Sequence, residues 1–395
     1  MGITKSTRIE SIDILRGLVM VIMALDHTRD YFHLNAFYSV NPEDLNTATP
    51  LLFFTRFITH FCAPVFIFLA GTSAFLYGQK RTKKELSKFL ITRGFWLIFV
   101  EIFINNFLWW FDISFGFINL QVIWAIGLCM VLLGILIHLP KKALILIGLL
   151  LIFGHNLFDS IVKEGQSFES IVWYILHQMN GFSISESRTI WFSYPILPWL
   201  GVITLGYCFG TFYQKNYSAE LRKKWLLYLG LGSIALFLIL RMSNIYGDQI
   251  MWETQDTVAK TIMSFFKLSK YPPSLLFLLI TLGPAFLFLI GIEKVKNKLT
   301  DFLLVFGRVP FFYYVIHIFF IHAFAMLGAA LAGNDWKNMI ITNDVFAQGK
   351  LAGYGFSLWI VYLVWIGIVL LLYPICKKYM NYKANNKDKW WLSYL

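Results

Sequence analysis

Apolar runs of membrane-spanning length recur from one end of the chain to the other. A helix that crosses a bilayer needs about 20 mostly apolar residues. Ten segments meet that requirement: 11–32, 51–78, 87–110, 119–138, 143–158, 196–214, 225–243, 272–292, 302–330 and 356–376. An interfacial helix near 168–180 is a candidate eleventh. The pattern predicts an all-α, polytopic membrane protein with about ten, or eleven, transmembrane helices in a single integral-membrane domain over 1–395.

Composition and charge support this prediction and add a topology. Of the 395 residues, 58% are hydrophobic and 14% are charged, whereas soluble domains are about 25% charged. The net charge of +12 would suit a nucleic-acid partner, but 21 Lys and Arg residues, including Lys5 and Arg8, lie in connections on one side and only 7 on the other. Because cytoplasmic connections carry the excess of Lys and Arg, we expect both termini in the cytoplasm and no nucleic-acid partner. Contact with anionic lipid accounts for the remaining positive charge.

The cysteines, the N-terminal segment and the long connections add further expectations about the protein. Cys62, Cys129, Cys208 and Cys376 lie in or beside apolar runs, without C-x-x-C or Cys/His ligand spacing, so we expect neither disulfides nor a metal site. The N-terminal segment has charges and no evident cleavage site, which predicts a retained helix rather than a signal peptide. The long connections fall on the predicted outer side: 33–50, 159–195, 244–271 and 331–355. Determinants for an extracytoplasmic partner are expected there.

Ionisable residues gather at the outer end of the first two helices. The first helix, LRGLVMVIMALDHTRDYFH, contains Asp26, His27, Arg29, Asp30 and His33 in its outer half. Arg56 and His60 arrive at similar depth from the second helix, which Pro64 should bend. Each charge within a span costs about 2.5 to 3.5 kcal/mol, so such residues normally face a cavity or pair with one another. A functional site and an ion-pair network that only locks two helices are both compatible with this pattern.

A second set of candidates lies nearer the cytoplasmic side. Arg16, Arg93 and Arg308 would surround one inner vestibule and bind a phosphate-bearing donor. Alternatively, Arg16 lies beside Asp13 and simply extends its side chain to the membrane interface.

Two further helices carry polar residues with helical spacing. Glu101, Asn105 and Asn106 form a polar stripe on the third span, which suits either a substrate site or hydrogen bonding between helices. Tyr313 and His317 are four residues apart and share one face of the ninth span, where a break or tilt is expected at Pro310. We interpret His317 as facing a cavity. For His322 we expect a position at the interface, and for His155 a structural or interfacial one.

Several blocks carry a family resemblance. The stretch RIESIDILRGLVMVIMALDHTRDYFH resembles the opening helix of the heparan-alpha-glucosaminide N-acetyltransferase-like membrane family, in its bacterial branch. The blocks TRFITHFCAPVFIFLAGTSAFL, PILPWLGVITLGYCFG, KYPPSLLFLLITLGPA and FGRVPFFYYVIHIFFIH are similar to further signatures of that family. The resemblance implies a multi-pass acyltransferase in the cytoplasmic membrane of a prokaryote. Acetyl-CoA would donate from the cytoplasm, and an outer sugar or glycan would accept through an amine or hydroxyl.

The sequence departs from the family at one functional position. The animal lysosomal enzymes have a functional Asn in the first helix and a catalytic His about eleven residues later. Counted from the shared arginine–glycine pair, the Asn position is His27 here, and the later position is Tyr38. His33 is the nearest histidine, but only an altered loop length would bring it into register. A covalent acetyl-histidine is therefore not carried over to this chain.

The leading hypothesis is acetyl transfer by general-base catalysis. His27, oriented by Asp26, would deprotonate the acceptor, while His60 or Arg56 would polarise the thioester carbonyl. The substrate-binding set would be Arg29, Asp30, His33, Glu101, Asn105, Tyr313 and His317. A transporter or flippase for a glycan or lipid-linked precursor could use the same charged cluster. A structural subunit is the third hypothesis, and a homo-oligomer is compatible with all three.

Overall fold

The computed structural model describes residues 9–37 and 41–393. Lys5, Arg8 and Tyr38, to which the sequence assigned topological or family roles, lie outside the described residues. The rest of the chain is mostly helical. The helices are α1 (Glu10–Phe32), α2 (Pro50–Thr59), α3 (Cys62–Gly78), α4 (Lys83–Phe99), α5 (Asn106–Trp110), α6 (Val122–Leu136), α7 (Lys141–Gly154), α8 (Phe168–Leu176), α9 (Ile196–Phe209), α10 (Ala219–Ser243), α11 (Val258–Phe266), α12 (Leu275–Ile292), α13 (Lys298–Arg308), α14 (Pro310–Leu331), α15 (Asn343–Ala347) and α16 (Leu358–Asn385).

The helical segments agree with a multi-pass membrane protein. Within the described residues, seven helical stretches are long and apolar enough to cross a membrane: Pro50–Gly78, Lys141–Phe158, Ile196–Tyr213, Ala219–Ser243, Leu275–Ile292, Pro310–Leu331 and Leu358–Asn385. The three other predicted spans also overlap helices, but α1 and α4 carry charges and α6 has only 15 residues. The total of ten spans and the cytoplasmic position of the termini stay predictions.

Two predicted helix breaks occur where proline removes a hydrogen-bond donor. The second span is interrupted at His60 and Phe61, one turn before Pro64, so it consists of α2 and α3. The ninth is interrupted at Val309, and α14 begins at Pro310. A proline N–H cannot bond to the preceding turn, which favours a new helix start at these points.

A small β-sheet corrects the all-α expectation. The strands are β1 (Phe117–Leu120), β2 (Asn180–Ser185) and β3 (Arg188–Phe192), in the order β1-β3-β2. β3 pairs parallel with β1 and antiparallel with β2. Strands of four to six residues are too short for a clear alternating pattern in so apolar a chain. The predicted helix near 168–180 is present as α8, and it ends before β2.

Close backbone contact joins α1 to α13. A Cβ atom built on Gly17 would lie 1.9 Å from the Leu303 carbonyl oxygen, and one built on Gly307 would lie 1.8 Å from the Asp13 carbonyl oxygen. Only glycine permits such an approach, and small residues serve this purpose widely in membrane helices. The contact places Arg16 beside the end of α13, which carries Arg308.

Candidate functional site

A large inner cavity lies between α1, α3, α4, α6 and the start of α14. Its volume is about 600 Å³. Arg16, Arg93 and Arg308 all line it, together with Lys383 from α16. The three arginines chosen from the sequence therefore share one cavity. Lys383 was not selected from the sequence, because its position beside the cavity depends on how α16 packs in the tertiary structure.

The arginines are held in place from several sides. Arg16 Nη1 donates to Asp13 Oδ1 at 2.9 Å, and its Nη2 donates to Ser73 Oγ at 2.9 Å. Arg308 Nη2 lies 3.7 Å from Glu10 Oε1. A side chain tethered between α1 and α3 is positioned, so interfacial anchoring alone does not account for Arg16. The remaining wall of this inner cavity is mostly apolar and includes Met20, Met23, Leu69, Leu97, Ile123 and Phe311.

Tyr314 lines the inner cavity and connects it to a buried polar chain. Asn105 Nδ2 donates to the Tyr314 hydroxyl at 3.2 Å and to Glu101 Oε2 at 3.0 Å. Glu101 also accepts from the backbone N–H of Gln121 at 2.9 Å. Glu101 and Asn105 are fully buried and lie in a π-helical turn, Val100–Asn105, from which Asn105 reaches Tyr314 of α14 and Glu101 reaches the backbone before α6. Neither of them lines the cavity, so the polar stripe acts here as a bond between helices.

Two histidines form a hydrogen-bonded pair beside Tyr314. His27 Nδ1 lies 2.7 Å from His317 Nε2, and His317 Nδ1 lies 3.0 Å from the Tyr313 carbonyl oxygen. A carbonyl only accepts, so in the neutral pair His317 Nδ1 carries the proton and His317 Nε2 accepts from His27. This assignment leaves the lone pair of His27 on Nε2. The Tyr314 ring centroid lies 6.3 Å from that of His27 and 5.6 Å from that of His317.

The pairing of His27 corrects the expected role of Asp26. Asp26 accepts from Arg29 Nη2 at 2.8 Å and forms a second ion pair with Arg56 from α2. Its carboxylate is therefore occupied by arginines, and His317 is the partner that orients His27. Adjacent positions on a helix point about 100° apart, so sequence adjacency of Asp26 and His27 was a weak indication of contact.

A cluster of charged residues, which we name the outer charge cluster after the side predicted from the sequence, consists of Asp26, Arg29, Asp30, Arg56, Glu43 and His60. Glu43 comes from the connection before α2 and accepts from His60 Nε2 at 2.7 Å. Arg56 Nε lies 3.4 Å from the same carboxylate. Burial opposes ionisation of Glu43, but the hydrogen bond and charge of His60 and the charge of Arg56 outweigh it and lower its pKa to about 2. Glu43 is therefore ionised near neutral pH.

Apart from Arg16, Arg93 and Arg308, the predicted site residues do not line the inner cavity, and this includes His27 and His317. Arg56 and His60 belong to the outer charge cluster and do not line the cavity. Tyr313 is fully buried, and its ring stacks on His317 with centroids 5.1 Å apart. His33 is half-buried at the end of α1, where its backbone forms an isolated β-bridge with Phe356. His322, expected at the interface, is fully buried instead.

Sequence reasoning missed Glu43 and Tyr314. Glu43 lies in a polar loop, where nothing in the pattern marks it as a partner of His60. Tyr314 is adjacent to Tyr313, which was chosen for its spacing from His317. A neighbour on the same helix points about 100° away, so the choice between the two tyrosines needed the position of α1.

A helical fold with several apolar helices of membrane-spanning length and an arginine-lined cavity between them defines a multi-pass membrane protein. The family profile described as heparan-alpha-glucosaminide N-acetyltransferase, catalytic, matches residues 8–242, more than half of the chain. The chain belongs to that family, which supports a membrane acetyltransferase in general. Comparison with curated proteins finds no significant match. The matched range includes His27, Arg16 and Arg93, whereas His317 and Arg308 lie beyond it.

Proposed function

We propose that the protein transfers an acetyl group from cytoplasmic acetyl-CoA to an amine or hydroxyl of a sugar or glycan on the outer side of the membrane. The observation that carries this proposal is the inner cavity, whose wall combines Arg16, Arg93, Arg308 and Lys383 with an apolar interior. The phosphates of CoA are bound most strongly by guanidinium groups, which form paired charge-assisted hydrogen bonds. The pantetheine arm, which is largely uncharged, matches the apolar wall.

The length of α1 between Arg16 and His27 suits an extended donor. Eleven helical residues separate the two positions, which corresponds to about 16 Å along the helix axis. With its phosphates at the arginines, acetyl-CoA would direct its thioester toward Tyr314. The thioester would then lie beside the pair formed by His27 and His317.

The arrangement of these groups supports direct transfer. His27 Nε2 takes a proton from the acceptor while the acceptor nitrogen or oxygen attacks the thioester carbonyl. The carbon–sulfur bond then breaks, and the CoA thiolate leaves and takes up that proton from the imidazolium. The Asn105 amide donates to the Tyr314 oxygen, so the phenolic hydrogen remains available to donate to the developing oxyanion. Tyr314 takes the role first considered for His60 or Arg56, whose side chains are engaged by carboxylates.

The acceptor side is assigned to the outer charge cluster. Arg29 and Asp30 lie there, and Asp30 has 38% of its side chain exposed. The exposed part of the Asp30 carboxylate would bind a sugar hydroxyl or amine, while the buried Arg29 holds Asp30 and Asp26 by ion pairs. We place the acceptor between this cluster and His27.

The test measures binding and transfer separately in purified protein. Wild type should bind acetyl-CoA by calorimetry and acetylate glucosamine, used as a test amine, with product detected by mass spectrometry. His27→Gln should bind acetyl-CoA like wild type but lose transfer. Absence of acetyl-CoA binding, together with pH-gradient-dependent movement of a glycan across proteoliposomes, would instead establish the transporter or flippase.

A separate measurement distinguishes direct transfer from transfer through an acetyl-histidine. Intact mass spectrometry of protein incubated with acetyl-CoA alone should show unmodified chain. A stable acetyl adduct on a histidine would contradict direct transfer and restore the covalent route.

A further inference from the structure

We propose that His155, Asp159 and His177 form a binding site for a divalent transition-metal ion of the zinc class. The three residues lie outside the inner cavity and outside the outer charge cluster. Each offers one ligand atom, and these atoms all lie within 4.8 Å of one another. The sequence predicted no metal site, because His155, Asp159 and His177 follow none of the familiar ligand spacings.

The geometry is close to what such an ion requires. His177 Nε2 lies 2.9 Å from Asp159 Oδ1. In a tetrahedral zinc site with metal–ligand distances of about 2.1 Å, neighbouring ligand atoms are about 3.4 Å apart. One separation of 2.9 Å and an upper limit of 4.8 Å for the others bracket that value.

His155 has buried nitrogen atoms and no partner for them. The residue is 2% exposed, and within the described residues neither Nδ1 nor Nε2 has a hydrogen-bond partner. His177 is 3% exposed, and its Nδ1 has none either. A buried polar atom without a partner costs about 1–3 kcal/mol, which a metal bond at that nitrogen would remove.

A comparison within the same chain shows how unusual this is. His322 is also fully buried, yet its Nδ1 lies 2.9 Å from the Leu108 carbonyl oxygen and its Nε2 lies 2.7 Å from that of Met339. His60, which is also buried, has its Nε2 bonded to Glu43 and only its Nδ1 without a partner, whereas at His155 both nitrogen atoms are without one among the described residues. His155 faces the His177 ring instead, with ring centroids 5.5 Å apart.

The carboxylate of Asp159 is held in place by its neighbours. Asn156 Nδ2 donates to Asp159 Oδ2 at 2.8 Å, while Oδ1 contacts His177 Nε2. Outer hydrogen bonds of this kind orient metal-binding carboxylates.

The donor set defines the class of ion. Two imidazoles and one carboxylate suit zinc and its neighbours in the first transition row, whereas calcium and magnesium prefer oxygen ligands. With 15% of the Asp159 side chain exposed, the site has a route from solvent and room for water as a fourth ligand. The ion would join the end of α7 to the end of α8 and so fix the connection that carries β2 and β3.

The experiment is zinc titration of the intact protein, and it does not depend on acetyl transfer. Detergent-solubilised protein, freed of metal by a chelator, is titrated with ZnCl₂ by calorimetry. Wild type should bind a single equivalent. His155→Gln and Asp159→Asn should each weaken zinc binding. The loss should exceed the roughly 10- to 100-fold seen when a residue that only hydrogen-bonds to a metal-binding side chain is replaced.

The controls separate ligand loss from misfolding. His138→Gln changes an exposed histidine elsewhere and should retain wild-type affinity. Zinc should raise the thermal midpoint of wild type and not that of Asp159→Asn, which is nearly isosteric. X-ray absorption of the wild-type zinc complex should show nitrogen and oxygen neighbours. Sulfur neighbours, or wild-type binding no tighter than that of the double variant His155→Gln/Asp159→Asn, would overturn the proposal.

Discussion

Replacing Tyr314 with phenylalanine removes the hydroxyl that would stabilise the developing oxyanion and leaves the ring in place. The loss of one such donor typically lowers kcat by about 10²- to 10³-fold, or about 2.7–4 kcal/mol. The cost to stability should be much smaller, about 1 kcal/mol, because one buried hydrogen bond is lost. Asn105 Nδ2 keeps its bond to Glu101 at 3.0 Å, so it is not left without a partner.

The assay is acetyl transfer at saturating acetyl-CoA, with the thermal midpoint measured on the same preparations. Tyr313→Phe is the matched comparison, because Tyr313 is also buried and its ring also contacts His317. Within the described residues the Tyr313 oxygen has no hydrogen-bond partner, and Tyr313 does not line the inner cavity. We expect a large fall in kcat for Tyr314→Phe, little change in the KM for acetyl-CoA, and a small effect for Tyr313→Phe. Equal effects of the two variants, or an unchanged kcat for Tyr314→Phe, would refute the assigned role.

Three further predictions test the donor site, the outer charge cluster and the helix packing. Arg93→Gln should raise the KM for acetyl-CoA but leave the KM for S-acetylpantetheine, which has no phosphates, almost unchanged; equal effects on both donors would exclude a phosphate contact. Glu43 has a pKa of about 2 in the folded protein, below its ordinary 4.5, so its ion pairs stabilise the fold above about pH 4.5 and lose this effect as the pH falls toward 2. Glu43→Gln should therefore destabilise the protein at pH 7 by at most about 3 kcal/mol. The difference in thermal midpoint between this variant and wild type should shrink at acid pH. A difference that does not change with pH would contradict the ion pairs of Glu43. Gly17→Ala places a Cβ atom 1.9 Å from the Leu303 carbonyl oxygen and should strongly destabilise the fold. The Cβ atom of Gly232→Ala meets nothing within 4 Å, so this variant should be neutral or stabilising by about 1 kcal/mol. Similar thermal midpoints for the two variants would argue against close packing of α1 on α13.

The helical segments could be predicted because apolar length is a local property. All ten predicted spans overlap helices, and the break at Pro310 follows from the missing N–H of proline. The β-sheet was not predicted, because its strands are short and because β1 joins the β2–β3 hairpin from a different connection of the chain. The π-helical turn at Val100–Asn105 was missed for a similar reason, since no residue type in it signals the extra residue per turn.

The sequence could predict which residues belong to polar clusters, but not which residue each of them contacts. The cost of charge within a membrane singled out Asp26, His27 and Arg56, and the structure places all three in polar clusters. Partners across 290 residues of sequence, such as His27 and His317, depend on how α1 packs on α14. The nearest carboxylate in sequence was therefore a poor guide to the partner of His27.

Acetyl transfer by the proposed route requires acetyl-CoA to enter the inner cavity and bring its thioester to Tyr314 and His27. A cryo-EM map of the protein with acetyl-CoA tests this requirement most directly. We expect density for the phosphates at Arg16, Arg93 and Arg308, and for the thioester within hydrogen-bond distance of the Tyr314 hydroxyl. Donor density elsewhere on the protein, or phosphates in the inner cavity with the thioester directed away from His27, would contradict it.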